Sequence, residues 1–158
     1  MRTQLTFAPT AVHALSTHDQ RGLLLYDLDR AAGTLLVRRH GALTHNLYLD
    51  DLTGRLVTLR LAERHRHWPA STSPLLLITA HTAFAPSYPR VGAETINRPL
   101  RRLGHQVGRL HRDRILDAAR HNCDPLHLVR LFGIHPCTAM TYPYVAHPGR
   151  FRPDVIAL

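Results

Sequence analysis

The spacing of apolar and polar residues along the first third of the chain predicts a helix followed by a β-hairpin. An amphipathic helix is expected over 17–26, where three leucines precede an acidic break at 27–29. Two strand-sized runs follow at 33–39 and 44–49, separated by His40-Gly41-Ala42. Short apolar runs on either side of a glycine-containing turn are typical of a hairpin.

The remainder of the chain predicts helices. One should begin after the N-cap Asp50 and run to His67, followed by a short buried strand at 75–79 and a loop. An apolar stripe from Ile96 to Val107 predicts the next helix. Further helices are expected at about 112–120, 126–132 and 138–142, the last of them stopped by Pro143. A sheet early in the chain with helices after it indicates a mixed α+β domain, a small antiparallel sheet packed with several helices.

Composition narrows the class of partner. The chain has 158 residues, which fits one domain, and carries 20 basic residues against 11 acidic ones, a net charge of +9. An excess of this size favours a polyanionic partner. All the basic residues are arginines, so a mechanism that needs a lysine as general acid must find a substitute.

Several features point to a location inside the cell. No apolar run approaches the roughly 18 residues of a membrane span, and the N-terminus lacks the apolar core of a secretory signal. The two cysteines, Cys123 and Cys137, are too few for a disulfide framework and favour a reducing compartment. A cytoplasmic protein without a membrane partner is therefore expected.

The last third of the chain contains an ordered set of motifs. His111-Arg112-Asp113-Arg114 is a His-x-x-Arg pattern, the run Asp-Pro-Leu-His-Leu-Val-Arg-Leu-Phe-Gly occupies 124–133, and Tyr142 lies nine residues after the final glycine. In this order the motifs resemble the catalytic domain of the tyrosine recombinase/integrase family, in particular actinobacterial site-specific integrases. The resemblance covers roughly residues 15–148. The chain is therefore expected to be a single catalytic-type domain over 1–158, without the family's separate N-terminal DNA-clamping domain.

The resemblance implies a specific chemistry. In the family, a tyrosine hydroxyl attacks a DNA phosphate and forms a phosphotyrosyl intermediate, while two arginines hold the non-bridging oxygens. A lysine on the hairpin protonates the leaving oxygen and two histidines move protons, so neither metal nor cofactor is expected. Carried over to this chain, Tyr142 is the expected nucleophile, with Tyr144 as the neighbouring alternative. His111 and Arg114 are the expected members of the His-x-x-Arg motif.

The chain departs from the family pattern at three positions. Ser16 occupies the place expected for the first arginine. The hairpin offers Arg38 and Arg39 instead of a lysine, and arginine stays protonated and is a poor general acid. Ile134 replaces the histidine that follows the glycine, although His135 is adjacent. We therefore expect a recombinase-like domain with impaired catalysis.

DNA binding is expected to survive these departures. The helix from Glu94 carries arginines opposite its apolar stripe, a distribution that suits backbone phosphates better than a merely solvated face, given the net charge. Double-stranded DNA is the expected partner, together with other recombinase protomers. The residues expected to bind nucleic acid are Arg38, Arg39, Arg98, Arg101, Arg102 and Arg109.

Two alternative interpretations remain open at this point. The helices at 126–132 and 138–142 also resemble a helix-turn-helix, in which case the domain is a non-catalytic DNA-binding regulator. The two His-x-Cys pairs, His121 with Cys123 and His135 with Cys137, offer zinc-ligand chemistry, but their spacing matches no known zinc module. No metal site is expected.

Overall fold

The fold combines a small antiparallel sheet with helices packed on one another, which confirms the expected α+β class. The computed structural model describes residues 9–39 and 44–150. The sheet contains three strands in the order β1 (Leu28–Asp29), β2 (Thr34–Arg38) and β3 (Thr44–Tyr48). The helices are α1 (Thr17–Arg21), α2 (Asp51–His67), α3 (Ala93–Arg102), α4 (Val107–His121), α5 (Pro125–Phe132) and α6 (Pro136–Ala146).

The predicted hairpin is present as β2 and β3, paired from Thr34 opposite Tyr48 to Arg38 opposite Thr44. Its turn residues, 40–43, lie outside the described part of the chain. Side chains alternate between the two faces of a strand, so Leu35 and Val37 are buried while Arg38 is exposed. Within the acidic break at 27–29, Leu28 and Asp29 add a third strand beside β2, which the sequence pattern does not predict.

Two predicted elements are wrong for a common reason. The helix predicted at 17–26 ends at Arg21, and the strand predicted at 75–79 is reduced to an isolated bridge between Leu24 and Leu75. The Leu25 amide donates to the Pro74 carbonyl at 2.8 Å, and the Leu76 amide donates to the Leu23 carbonyl at 2.8 Å. A run of three leucines suits a helix and a buried extended segment equally, and the neighbouring segment decides between them.

The helix boundaries agree with the sequence where local capping signals exist. Asp50 caps α2 through the Leu52 and Thr53 amides, and Asp124 caps α5 with Pro125 in its first turn. The helix predicted from Glu94 is broken, because α3 ends at Arg102 and α4 begins at Val107 and not near 112. Leu103, expected in the apolar stripe, is 59% exposed at this break.

The last predicted helix is longer than expected. Helix α6 continues through Pro143 to Ala146, although proline removes one hydrogen bond and crowds the preceding turn. Pro143 and Ala139 are buried on the side of α6 that packs on α4 and α5. This packing offsets the local cost, and the His147 amide still donates to the Pro143 carbonyl at 2.9 Å. None of the helices in the described residues is long and apolar enough to cross a membrane.

Two buried arginines of α2 hold the irregular segment 73–78 against the helix. Arg64, only 6% exposed, donates to the Leu75 carbonyl at 2.8 Å and to the Ser73 carbonyl at 2.6 Å. Arg60 donates to the Ile78 carbonyl at 2.7 Å. Burial lowers the pKa of Arg64. Side chains thus supply hydrogen bonds to carbonyls of this segment that its short pairing with residues 23–25 leaves without a backbone donor.

Replacing Arg64 with methionine should lower the free energy of unfolding by about 3 kcal/mol, because two buried carbonyls lose charged donors. Urea denaturation followed by circular dichroism measures the change. The control is Arg66→Met on the exposed face of α2, which should change stability by less than about 0.5 kcal/mol. Equal effects of the two substitutions would contradict a structural role for Arg64.

The core contains two main apolar clusters. One joins α4, α5 and α6 through Ile115, Leu128 and Phe132. The other lies under the sheet and includes Leu35, Val37 and Leu47. Leu15 belongs to this second cluster, whereas its neighbour Ala14 belongs to the first. The segment before α1 therefore runs between the sheet and the helices.

Candidate nucleic-acid interface

A polar pocket lies where the sheet side and the helical side of the domain meet. Its volume is about 400 Å³. It receives residues from the start of α1, the end of β2, α4 and the turn between α5 and α6. The described residues that line it are Ser16, His18, Asp19, Arg39, His111, Gly133 and His135. We call it the Arg39 pocket.

Arg39 is the dominant cation of this pocket. It follows β2 directly, and its side chain is only 13% exposed. Its Nη2 lies 3.5 Å from Asp19 Oδ2, a distance that allows an ion pair but is at the limit for a hydrogen bond. Within the described residues, its Nε and Nη2 are buried and make no hydrogen bond. These two nitrogens form one edge of the guanidinium, which matches two oxygens of a phosphate or carboxylate.

Two histidines lie close enough to Arg39 to be affected by its charge. His111, on α4, has its Nδ1 2.5 Å from the carbonyl of Ala14. Burial lowers the pKa of His111, the hydrogen bond to Ala14 opposes this shift, and the nearby charge of Arg39 adds to it. Burial also lowers the pKa of His45 on β3, as does Arg39. Both rings are therefore biased toward the neutral form beside a permanent cation.

The side chain of His45 packs closely against the backbone of Gly133. A Cβ placed on Gly133 would lie 2.6 Å from the Cβ of His45, and Gly133 has a φ of 62°. Glycine accepts this left-handed conformation without strain and leaves space for the imidazole. The turn between α5 and α6 is thereby packed directly on β3.

Ser16, at the place expected for the first arginine, has a structural role. Its hydroxyl accepts a hydrogen bond from the Asp19 amide at 3.2 Å. Asp19 Oδ2 in turn accepts from the Ser16 amide at 3.0 Å and from its hydroxyl at 2.8 Å. The two residues form a capping box at α1. Arg21, the nearest arginine, donates to the Val91 carbonyl and does not line the pocket.

The three residues expected to be catalytic are not all brought to the pocket. His111 lines it, and Arg114 and Tyr142 are not among its lining residues. Arg114 donates to the Val12 carbonyl and to Asp117, both at 3.2 Å, and its guanidinium lies over the ring of Phe132.

Tyr142 packs against the cluster of α4, α5 and α6. Burial raises its pKa, although the charge of Arg112 acts in the opposite direction. A phenol with a raised pKa is a weaker nucleophile unless a base removes its proton. The alternative, Tyr144, is 52% exposed.

The residues after Gly133 take different roles. Ile134 is buried in the cluster of α4, α5 and α6, so it contributes to packing. His135 caps α6, with its Nδ1 accepting from the Cys137 amide at 3.3 Å, and lines the pocket. A histidine is thus present near the expected place, displaced by one residue.

The arginines expected to bind nucleic acid differ in whether their side chains are held by a carboxylate of the protein. Arg38 donates to both carboxylate oxygens of Asp27, at 2.8 and 2.6 Å. Arg101 is paired with Glu94, and Arg109 lies 3.8 Å from Asp113 and is 78% exposed. Arg98 and Arg102 are exposed on α3.

Helix α3 is attached to the edge of the pocket. The hydroxyl of Thr17, next to Ser16, donates to Asn97 at 2.8 Å. Arg98, the first exposed arginine of α3, therefore follows directly after Asn97, which is bound to the first turn of α1.

Sequence reasoning missed two pocket residues, His18 and Asp19. The Ser-x-x-Asp spacing of a capping box was a usable signal for Asp19, whereas His18 has no local signal. The His-x-Cys pairs do not form a site: no group of three or more His, Cys, Asp or Glu among the described residues is arranged to hold a metal.

Comparison with known proteins identifies the fold. XerA recombinase matches with a TM-score of 0.68 and 15% identity over 95% of this chain and 59% of XerA. XerH recombinase bound to palindromic difH, in a post-cleavage complex, matches with a TM-score of 0.68 and 15% identity over 93% of this chain and 43% of XerH. An integrase from mycobacterium phage Brujita matches with a TM-score of 0.57 and 13% identity over 99% of this chain and 54% of the integrase.

The sequence matches no protein-family model and no curated protein. The chain spans less than two thirds of each of the three recombinases. Their agreement in architecture confirms the resemblance seen in the motifs at the level of fold. The domain has a tyrosine recombinase/integrase-like fold.

Proposed function

We propose that this domain binds double-stranded DNA in a recombination or integration system, and that the Arg39 pocket receives one backbone phosphate. The observation that carries the proposal is the guanidinium edge of Arg39, which is buried and has no hydrogen-bond partner among the described residues. A buried charged donor without an acceptor is costly, and an entering phosphate would supply two acceptors.

Two further observations support DNA as the ligand. The net charge of +9 and the exposed arginines of α3 suit a long polyanion better than a small one. XerH, which shares the fold, was solved on its difH substrate both before and after cleavage. Other recombinase protomers are proposed as additional partners, because strand exchange needs more than one phosphate to be handled at a time.

We further propose that catalysis is impaired. The pocket contains a serine at the place of the first arginine and an arginine at the place of the lysine. Arg114 is bound to Val12 and Asp117, and Tyr142 is half-buried against the cluster of α4, α5 and α6. Among the described residues that line it, the pocket contains one arginine and no lysine. The arrangement can hold a phosphate, but it lacks the second clamping arginine and the lysine acid that the resemblance calls for.

Replacing Arg39 with glutamine should weaken DNA binding by about 10- to 100-fold, because a two-point charged contact is lost. Fluorescence anisotropy of a labelled duplex measures the affinity. The matched control is Arg66→Gln, which removes the same charge from the exposed face of α2. If the two variants bind equally well, the phosphate contact lies elsewhere, and a helix-turn-helix built from α5 and α6 becomes the better explanation of DNA binding.

A further inference from the structure

The Arg39 pocket contains a negative charge where an anion is expected to bind. Asp19 is 6% exposed, lines the pocket, and holds its Oδ2 3.5 Å from Arg39 Nη2. Its carboxylate is fixed there by two hydrogen bonds from Ser16. Because these bonds also cap α1, the carboxylate cannot move away without opening the first turn of that helix.

A phosphate on the free edge of Arg39 would come close to this carboxylate. Nη2 belongs to that edge, so a phosphate oxygen in hydrogen-bond contact with it would lie within about 6 to 7 Å of Asp19 Oδ2. Two like charges at this separation repel each other substantially in a partly buried site. The same carboxylate also neutralises part of the charge of Arg39 while the pocket is empty.

We propose that Asp19 is an internal competitor that limits how tightly the Arg39 pocket holds a DNA phosphate. The inference rests on the proposed function, since it assumes a phosphate at Arg39. The pocket then releases its phosphate more readily than an uncompensated arginine would, and affinity is set by the balance between one fixed cation and one fixed anion. Asp19 is thus a tuning residue of the binding site, in addition to its capping role.

Replacing Asp19 with asparagine separates these two roles. The side-chain amide keeps an oxygen that can accept from Ser16, so the cap and the unfolding midpoint should be preserved, while the charge is removed. Affinity for a fluorescein-labelled duplex of unbiased sequence should rise by about tenfold or more. Asp51→Asn is the matched control: it adds the same net charge at an exposed site outside the pocket, and its gain should be much smaller.

A third variant tests whether the gain in affinity from Asp19→Asn depends on Arg39. In the double variant Arg39→Gln/Asp19→Asn, the gain from Asp19→Asn should fall to that of Asp51→Asn, because the phosphate is no longer held beside residue 19. An undiminished gain in that background would overturn the inference, as would a gain no larger than the control. A loss of affinity in Asp19→Asn would also overturn it, since Asp19 would then be positioning Arg39.

The outcomes also distinguish an error in the role of Asp19 from an error in the proposed phosphate site. If Arg39→Gln binds DNA as tightly as the wild-type protein, the proposed phosphate site is wrong. If Arg39→Gln weakens binding while Asp19→Asn only equals its control, the phosphate site stands and the role of Asp19 is wrong.

Discussion

Raising the salt concentration from about 50 to 200 mM should weaken DNA binding by about a thousandfold if six arginines contact phosphates, because each contact releases condensed counterions. The six are Arg38, Arg39, Arg98, Arg101, Arg102 and Arg109. In the free protein Arg38 and Arg101 make the two shortest ion pairs of this set, with Asp27 and Glu94. The pairs of Arg39 with Asp19 and of Arg109 with Asp113 are longer, at 3.5 and 3.8 Å. If the two shortest pairs persist on DNA, four contacts remain and the loss should be about a hundredfold. The slope of affinity against salt therefore counts the arginines that exchange their partners.

Variants give this measurement an internal control. Arg98→Gln combined with Arg102→Gln should reduce the slope by about two, whereas Arg66→Gln on α2 should leave it unchanged. A response that is flat in salt would contradict DNA binding in both its catalytic and its non-catalytic form.

A nicked suicide duplex, which traps the covalent intermediate of a tyrosine recombinase, should yield no detectable adduct with this domain. Loss of one clamping donor costs about 10²–10³ in rate, and loss of a general acid costs about 10²–10⁴. Ser16 stands at the place of the clamping arginine and Arg39 at the place of the lysine acid. The rate of DNA cleavage should therefore fall by about 10⁴ or more. A denaturing gel of the labelled duplex measures the adduct. Rapid accumulation that is abolished by Tyr142→Phe and retained by Tyr144→Phe would show that catalysis is intact.

A modified duplex separates the two deficits. A 5′-bridging sulfur leaves without protonation, so it removes the need for the missing lysine while the phosphate clamp stays weak. A partial recovery of adduct with this duplex would show that Tyr142 can reach the phosphate. No adduct despite tight binding would identify the domain as a binding module, since in-line attack tolerates little misplacement of the nucleophile.

Much of the fold could be predicted because its signals are local. The hairpin, the Asp50 cap, the Asp124-Pro125 start of α5 and the glycine at its end are each specified within a few residues. The wrong predictions share a dependence on distant partners. The leucines at 23–25 are extended because residues 74–76 pair with them, and Pro143 is tolerated because α4 and α5 cover its side of α6.

Only part of the candidate pocket can be predicted from the sequence, because its residues come from segments that are distant along the chain. The motif predicts His111 and the hairpin predicts Arg39, and both line one pocket. His135, which also lines it, is only the neighbour of the position where the family pattern is lost. Nothing local indicates that Arg114 would bind the Val12 carbonyl, because that contact joins segments 102 residues apart. The content of a pocket that forms between the sheet and the helices depends on how these parts pack, which the sequence pattern does not specify.

The contact between Gly133 and His45 has a mechanical consequence. With no space for even a methyl group between them, β3 and the end of α5 are packed as one unit. A movement of the hairpin relative to the helices must therefore either carry the turn between α5 and α6 with it or separate the His45 imidazole from Gly133. The contact thus couples the hairpin to the turn that precedes α6, the helix that carries Tyr142.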